Sequence, residues 1–93
     1  MLSAVVTELP SGARLNARTA DISRSGCYID TLNPVPQGSR VRIKLQHNEE
    51  MFECLGVVVY VSFSLGMGIC YTEVKTEEME KLVRWLEEKD GEF

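Results

Sequence analysis

RVRIKLQHNEEMFECLGVVVYVSFSLGMGICYTEV, residues 40–74, is the stretch whose patterning settles the fold class. At its start Val41, Ile43 and Leu45 alternate strictly with Arg40, Arg42 and Lys44. Side chains along a strand point to opposite faces with a period of two, so this segment reads as a half-buried strand. His47-Asn48-Glu49-Glu50 comes next as a polar turn. Met51 to Phe63 is then apolar on both faces, with Leu55, Val57, Val59 and Val61 on one side and Val58 and Tyr60 on the other. A long strand of that kind belongs in the centre of a sheet or closes a barrel, and Gly56 inside it predicts a bend or bulge. Residues 62–66 turn the chain back, and Met67 to Val74 forms the last strand.

Upstream, the same reading gives shorter elements. Ala4-Val5-Val6-Thr7 is a β-branched strand, and Leu9-Pro10-Ser11-Gly12 is a turn. Arg14 to Ile22 is extended but alternates too weakly to orient its faces. Cys27 to Thr31 is a further short strand, ended by Asn33-Pro34-Val35-Pro36-Gln37-Gly38, whose prolines cannot donate to a ladder. Downstream of Val74 the period changes to that of a helix. Met79, Leu82, Val83 and Leu86 form one apolar stripe. Thr76 is placed to cap it, with Glu77 and Glu78 at the positive end of the dipole. Glu77–Lys81 and Glu80–Arg84 are spaced as i,i+4 pairs, Trp85 adjoins the stripe as a packing residue, and Gly91 and Phe93 lie beyond. The expectation is a mainly β domain spanning residues 1–93, with about six strands over residues 3–74 and one helix over about 76–89.

Composition excludes several functions. The chain has 93 residues, 44% apolar and 26% charged, enough for one domain with one modest core. Residues 1–46 hold six Lys/Arg against three Asp/Glu, and residues 47–93 hold four against eleven. An acidic whole argues against DNA or RNA, which are held through many phosphate contacts, although the basic half could receive a small anion. A barrel binding single strands would interleave aromatic with basic residues, and Tyr28, Tyr60 and Tyr71 are scattered along the chain. Cys27, Cys54 and Cys70 contain no CxxC pair and lie in apolar runs, as reduced and mostly buried thiols do. His47 is the sole histidine, in a turn beside acids, where solvation is expected and no metal site can be assembled. No nucleophile elbow, phosphate loop or dinucleotide fingerprint is present, so no enzyme and no cofactor are expected. No apolar run is long enough to cross a bilayer, and the N-terminal residues do not read as a signal peptide, so a cytoplasmic protein is expected.

Thr19-Ala20-Asp21-Ile22-Ser23-Arg24-Ser25-Gly26-Cys27-Tyr28-Ile29 resembles the PilZ family, whose D/N-x-S-x-x-G pattern sits at a strand-to-strand turn; Asp21, Ser23 and Gly26 fill its three positions. The run from Glu53 to Val61 resembles the family's closing strand. Gly66-Met67-Gly68-Ile69-Cys70-Tyr71 resembles the Gly-Met-Gly-Val-x-Phe run near its end, before a C-terminal helix. The resemblance covers nearly the whole chain. It implies an antiparallel PilZ-type β-barrel with one C-terminal α-helix, cyclic di-GMP as ligand, and a protein partner to which binding is relayed. Asp21 and Ser23, two apart on a strand, share a face, and a carboxylate beside a hydroxyl can read the donor edge of a guanine. Gly26 permits either positive φ or close backbone approach. The same residues also suit a turn in which Asp21 and Ser23 cap their own backbone N–H groups.

The family's second motif, RxxxR, precedes the first strand, and its arginines engage phosphate and guanine. Here Arg14 and Arg18 have the spacing but sit on the strand leading directly to Asp21, so the resemblance does not carry over securely to them. The segment equivalent to the motif is expected at or upstream of Met1. Arg24, inside the turn, is a further candidate phosphate partner. Three outcomes stay open: binding through Arg24 and other basic residues, a PilZ-like adaptor that binds a protein without nucleotide, or a chain that continues upstream.

Overall fold

The computed structural model describes residues 2–89; Gly91 and Phe93 lie outside the described residues. In chain order the elements are β1 (Ser3–Glu8), β2 (Arg14–Ile22), β3 (Gly26–Asp30), β4 (Arg40–His47), β5 (Glu50–Ser62), β6 (Gly66–Glu73) and α1 (Thr76–Lys89). The strands form a closed antiparallel barrel in the order β1-β2-β3-β6-β5-β4. The inward residues of each strand meet inside it. Val6, Ile29, Val41, Ile43, Leu45 and Phe52 are fully buried there. The alternation read in β4 is realised, with Val41, Ile43 and Leu45 inward and Arg40 and Arg42 exposed.

β5 departs from simple alternation in a way that matters for the site. Gly56 lies at a register shift against β6, as its sequence predicts, and a second shift comes after Val58. Val58 pairs with Ile69 and Tyr60 with Gly68, so Val59 is an extra residue. Val59 and Tyr60 therefore both face outward, and Val61 turns in to pack against the core. The expected face of Leu55, Val57, Val59 and Val61 holds only as far as Val59, because a bulge inverts the alternation beyond it.

Both barrel ends are closed. At one, the β3–β4 connection folds over the opening, with Val35 against the core and Gly38 N–H donating to Val58 O at 2.7 Å. At the other, α1 lays Leu82 and Trp85, both fully buried, across the mouth. Trp85 packs edge-on to Phe52 and to His47, with ring centroids 6.4 and 5.3 Å away. His47 is thus the buried last residue of β4 rather than a solvated turn residue, with Nε2 3.9 Å from a Glu88 oxygen. Among the described residues no helix is long and apolar enough to cross a membrane.

The helix is fastened by charges that the local pattern assigns elsewhere. Arg84 donates to both oxygens of Glu50 at 2.9 and 2.7 Å, and Trp85 Nε1 donates to Glu50 Oε1 at 3.0 Å. Glu78 accepts from the Glu53 N–H at 2.8 Å, while Lys81 donates to the Met51 carbonyl and lies 3.4 Å from Glu78. Neither expected i,i+4 pair forms among the described residues: Arg84 is taken by the bidentate Glu50 carboxylate on the adjacent hairpin, with Glu88 3.8 Å away, and Lys81 by the Met51 carbonyl and Glu78. Met79 N–H donates to Lys75 O, so Lys75, not Thr76, occupies the capping position.

Hydrogen bonds from Arg84 and then Trp85 hold the Glu50 carboxyl down at about 2, against an ordinary 4.5. A depressed carboxyl stabilises the fold above its unfolded pKa and loses that contribution as pH falls through the folded value. Emission from Trp85, the only tryptophan, should therefore shift to longer wavelength between about pH 4.5 and 2. Glu50→Gln should begin less stable at neutral pH and titrate with a smaller amplitude. Superimposable wild-type and variant curves would show that this contact does not hold the helix.

Candidate functional site

Thr19 sets the geometry of the turn between β2 and β3. Its side chain is fully buried, and its hydroxyl accepts the Leu2 N–H at 2.9 Å while its own N–H donates to Leu2 O. Strict alternation would then send Asp21 inward as well. Instead Thr19 pairs with Ile29 and Asp21 with Tyr28, leaving Ala20 as a bulge residue. The bulge turns Asp21 outward and Ile22 back into the core. Among the described residues the Asp21 carboxylate has no hydrogen bond or ion pair within the chain.

The turn itself is closed by Ser23. Its N–H donates to Gly26 O at 2.9 Å, its hydroxyl lies 3.2 Å from the same carbonyl, and it accepts from the Ser25 and Gly26 N–H groups at 3.3 Å. The Ser25 carbonyl accepts from Tyr71 N–H at 2.9 Å, tying the turn to β6. Of the alternatives open for this motif, self-capping is therefore what Ser23 does, and Asp21 does not do it. Gly26 is needed for close approach rather than positive φ, since a Cβ there would lie 2.2 Å from the Ile69 carbonyl oxygen on β6.

From Asp21 a row of outward positions crosses four strands. Asp21 pairs with Tyr28, Tyr28 with Gly68, and Gly68 with Tyr60. The Tyr60 ring lies over Gly68, where a Cβ would come within 2.2 Å of it, and Tyr28 covers Gly66 in the same way at 2.8 Å. The two rings are 5.9 Å apart with planes inclined by 32°. This row, the Ser23–Gly26 turn and Cys70 line a surface depression of about 330 Å³. A larger depression of about 700 Å³ lies where the helix start meets β5 and β6, but its rim mixes Arg42, Lys75, Glu53, Glu73 and Glu78 and favours no single charge.

The arginines divide by position. Arg24 is exposed in the turn and does not line the depression. Arg18 is exposed on β2 opposite Asp30, on the same outer face as Asp21 and one step along the strand from it. Arg14 pairs opposite Thr7 near the far end of β2, roughly 20 Å from Asp21 at ~3.3 Å per residue. The structure brings Asp21, Ser23 and Gly26 together, keeps Arg18 and Arg24 at the margin, and leaves Arg14 out.

Tyr28, Tyr60 and Cys70 escape a sequence reading. The tyrosines are 32 positions apart and become neighbours only because β6 inserts between β3 and β5. Tyr71 belongs to the interior, 5.5 Å from Phe52, and burial pushes its hydroxyl well above its usual range. Burial likewise pushes the Cys27 and Cys54 thiols up to about 12, so both are inert, whereas Cys70 is exposed. Among the described residues no three His, Cys, Asp or Glu side chains converge as a metal would require.

Comparison with known proteins agrees with this fold. The family model for the PilZ domain matches residues 2–88. Solved structures similar in fold include the Bacillus subtilis inhibitor of motility MotI/DgrA, with TM-score 0.80 and 16% identity over 96% of this chain and 46% of that one. Another is the PilZ domain of CeSA from a cellulose-synthesizing bacterium, with TM-score 0.74 and 14% identity over 96% and 92%. The chain thus spans about half the length of the motility inhibitor. No curated protein sequence matches.

The glycines should separate by what they touch. In Gly26→Ala the new methyl meets backbone that cannot yield, and a loss of about 1–3 kcal/mol in denaturant unfolding is expected. In Gly68→Ala it meets the end of the Tyr60 side chain, which can swing away for less than ~1 kcal/mol. Equal losses would mean that Tyr60 is as fixed as the backbone.

Proposed function

The chain belongs to the PilZ family, and on that footing we propose that it is a regulatory module that binds cyclic di-GMP on the outer face around Asp21 and relays binding to a protein partner in the cytoplasm. The observation that carries this reading is the outward Asp21 carboxylate, without a partner among the described residues, beside an open depression. The N1–H and N2–H donors of guanine match it, and a charge-assisted hydrogen bond discriminates strongly against bases lacking them. Ser23 and Gly26 contribute by holding the turn in shape. Arg18 and Arg24, exposed at the margin of the site, are the cations assigned to the ligand phosphates, and Arg14, near the far end of β2, is too distant to join them. Binding of this kind involves no chemical step and no further cofactor.

A second reading, an adaptor that binds protein without nucleotide, is favoured by one observation. Leu32, Phe63 and Leu65 are 76, 87 and 69% exposed at the barrel end opposite the helix, and Thr31 N–H donates to Leu65 O, holding the two loops together. Exposed apolar groups clustered in this way mark contact surfaces.

Calorimetric titration of cyclic di-GMP separates the two. Binding that Asp21→Ala weakens by at least about tenfold, with smaller losses for Arg18→Ala and Arg24→Ala, is the expected result. Bound ligand should also slow alkylation of Cys70. Absence of both heat and thermal stabilisation at large ligand excess would leave the adaptor reading, to be pursued through Leu32, Phe63 and Leu65.

A further inference from the structure

The outer face formed by β2, β1 and β4 concentrates positive charge that the nucleotide site leaves largely unused. Arg14, Asn16 and Arg18 project outward from β2, and Arg40, Arg42 and Lys44 from β4. β1 runs between them. Thr7 pairs with Arg14 on one side and Arg42 on the other, Val5 with Asn16 and Lys44, and Ser3 with Arg18 and Gln46. Two rows of long side chains, rich in cations, therefore flank a floor of short ones. The rows stand about 10 Å apart at ~4.8 Å per strand step, and Arg14 to Arg18 spans roughly 13 Å at ~3.3 Å per residue. Among the described residues Arg14, Arg18, Arg40 and Lys44 take part in no ion pair, and Arg42 has Glu53 3.4 Å away.

We infer that this strip is a docking surface for an acidic polypeptide segment of a partner protein, laid along β1 with its carboxylates between the two rows. Charge complementarity carries the inference, and the borders of the strip select the occupant. Asp30 lies opposite Arg18 on β3, and Glu53 lies opposite Lys44 on β5. A narrow segment meets only the cations, with Val5 as an apolar floor. A lipid leaflet or a nucleic-acid duplex is wider than the strip and would set its phosphates against those carboxylates, in a chain whose net charge is −4. No aromatic side chain projects from this face for a single strand to stack on. The inference does not depend on nucleotide binding. Arg18 stands where the strip meets the margin of the Asp21 site, and the other four cations lie outside that site.

The test measures fluorescence anisotropy of a labelled oligoglutamate peptide at low salt, beside a labelled DNA duplex and cosedimentation with phosphatidylglycerol vesicles. Wild type should bind the peptide more tightly than either phosphate probe, and added salt should weaken binding. Arg14→Glu and Lys44→Glu, one in each row, should each weaken peptide binding by about tenfold. Lys75→Glu makes the same change of charge off the strip, just before α1, and should bind like wild type. Thermal melts establish that each variant is folded, and titration of Arg14→Glu with cyclic di-GMP reports separately on the nucleotide site. The inference is overturned if wild type does not bind the peptide, if DNA or vesicles bind more tightly, or if Lys75→Glu weakens binding as much as the strip variants do.

Discussion

The contact between β3 and β6 is the constraint on which the rest of the molecule depends. A six-stranded barrel closes only if a late strand inserts between two earlier ones, and here β6 must fit between β3 and β5. The backbones meet where Gly26 faces the Ile69 carbonyl and Gly66 faces the Ile29 carbonyl, with no room for a Cβ at either point. The β3–β4 connection must then cross the barrel end to begin β4 on the far side of β5, and its prolines suit a segment that donates little to any ladder. The same pairing carries Tyr28 next to Tyr60 and anchors the Asp21 turn through Tyr71. Closure of the fold and assembly of the depression are thus one event.

The helix solves a different problem. A small barrel leaves its mouth open to water, and the interior aromatic residues Phe52 and Tyr71 would line it. Trp85 packs over Phe52, and its indole N–H needs a partner once buried, which Glu50 supplies. Asn48, at φ 57°, makes the tight turn that puts Glu50 opposite His47 and beneath α1. The acidic excess of the second half of the chain is therefore partly structural, since Glu50 and Glu78 fasten the helix to the hairpin.

Much of this is legible in the sequence because periodicity is a local property. The alternation in Val41, Ile43 and Leu45, the two-sided β5 and the switch to a helical period at Thr76 each depend on neighbours in the chain, and together with the family resemblance they imply the barrel and its terminal helix. The hidden part depends on contacts that sequence spacing does not encode. Val59 and Ala20 look like ordinary strand residues, yet each is the extra residue of a bulge, and each inverts the facing of the residues after it. His47 reads as a polar turn residue because the helix that buries it arrives nearly forty positions later. Arg84 reads as a partner of Glu80 because helical spacing is visible in the sequence and the position of Glu50 is not.

The bulge at Ala20 and the Ser23 turn together decide which group of the motif can meet a ligand. A serine hydroxyl has one proton to donate and two lone pairs to accept with. In this turn the proton has Gly26 O within reach, and the lone pairs face the Ser25 and Gly26 N–H groups, so the local valence is filled. Recruiting that hydroxyl to a ligand would open the turn that holds β2 against β3. Asp21 differs only because one extra residue rotates it out of the interior that Thr19 occupies. Serine and glycine in the motif therefore shape the turn, and the aspartate carboxylate is the group turned to the outside. An alanine at Ser23 would disturb the shape of the turn, whereas the same change at Asp21 would remove an outward carboxylate and leave the turn standing.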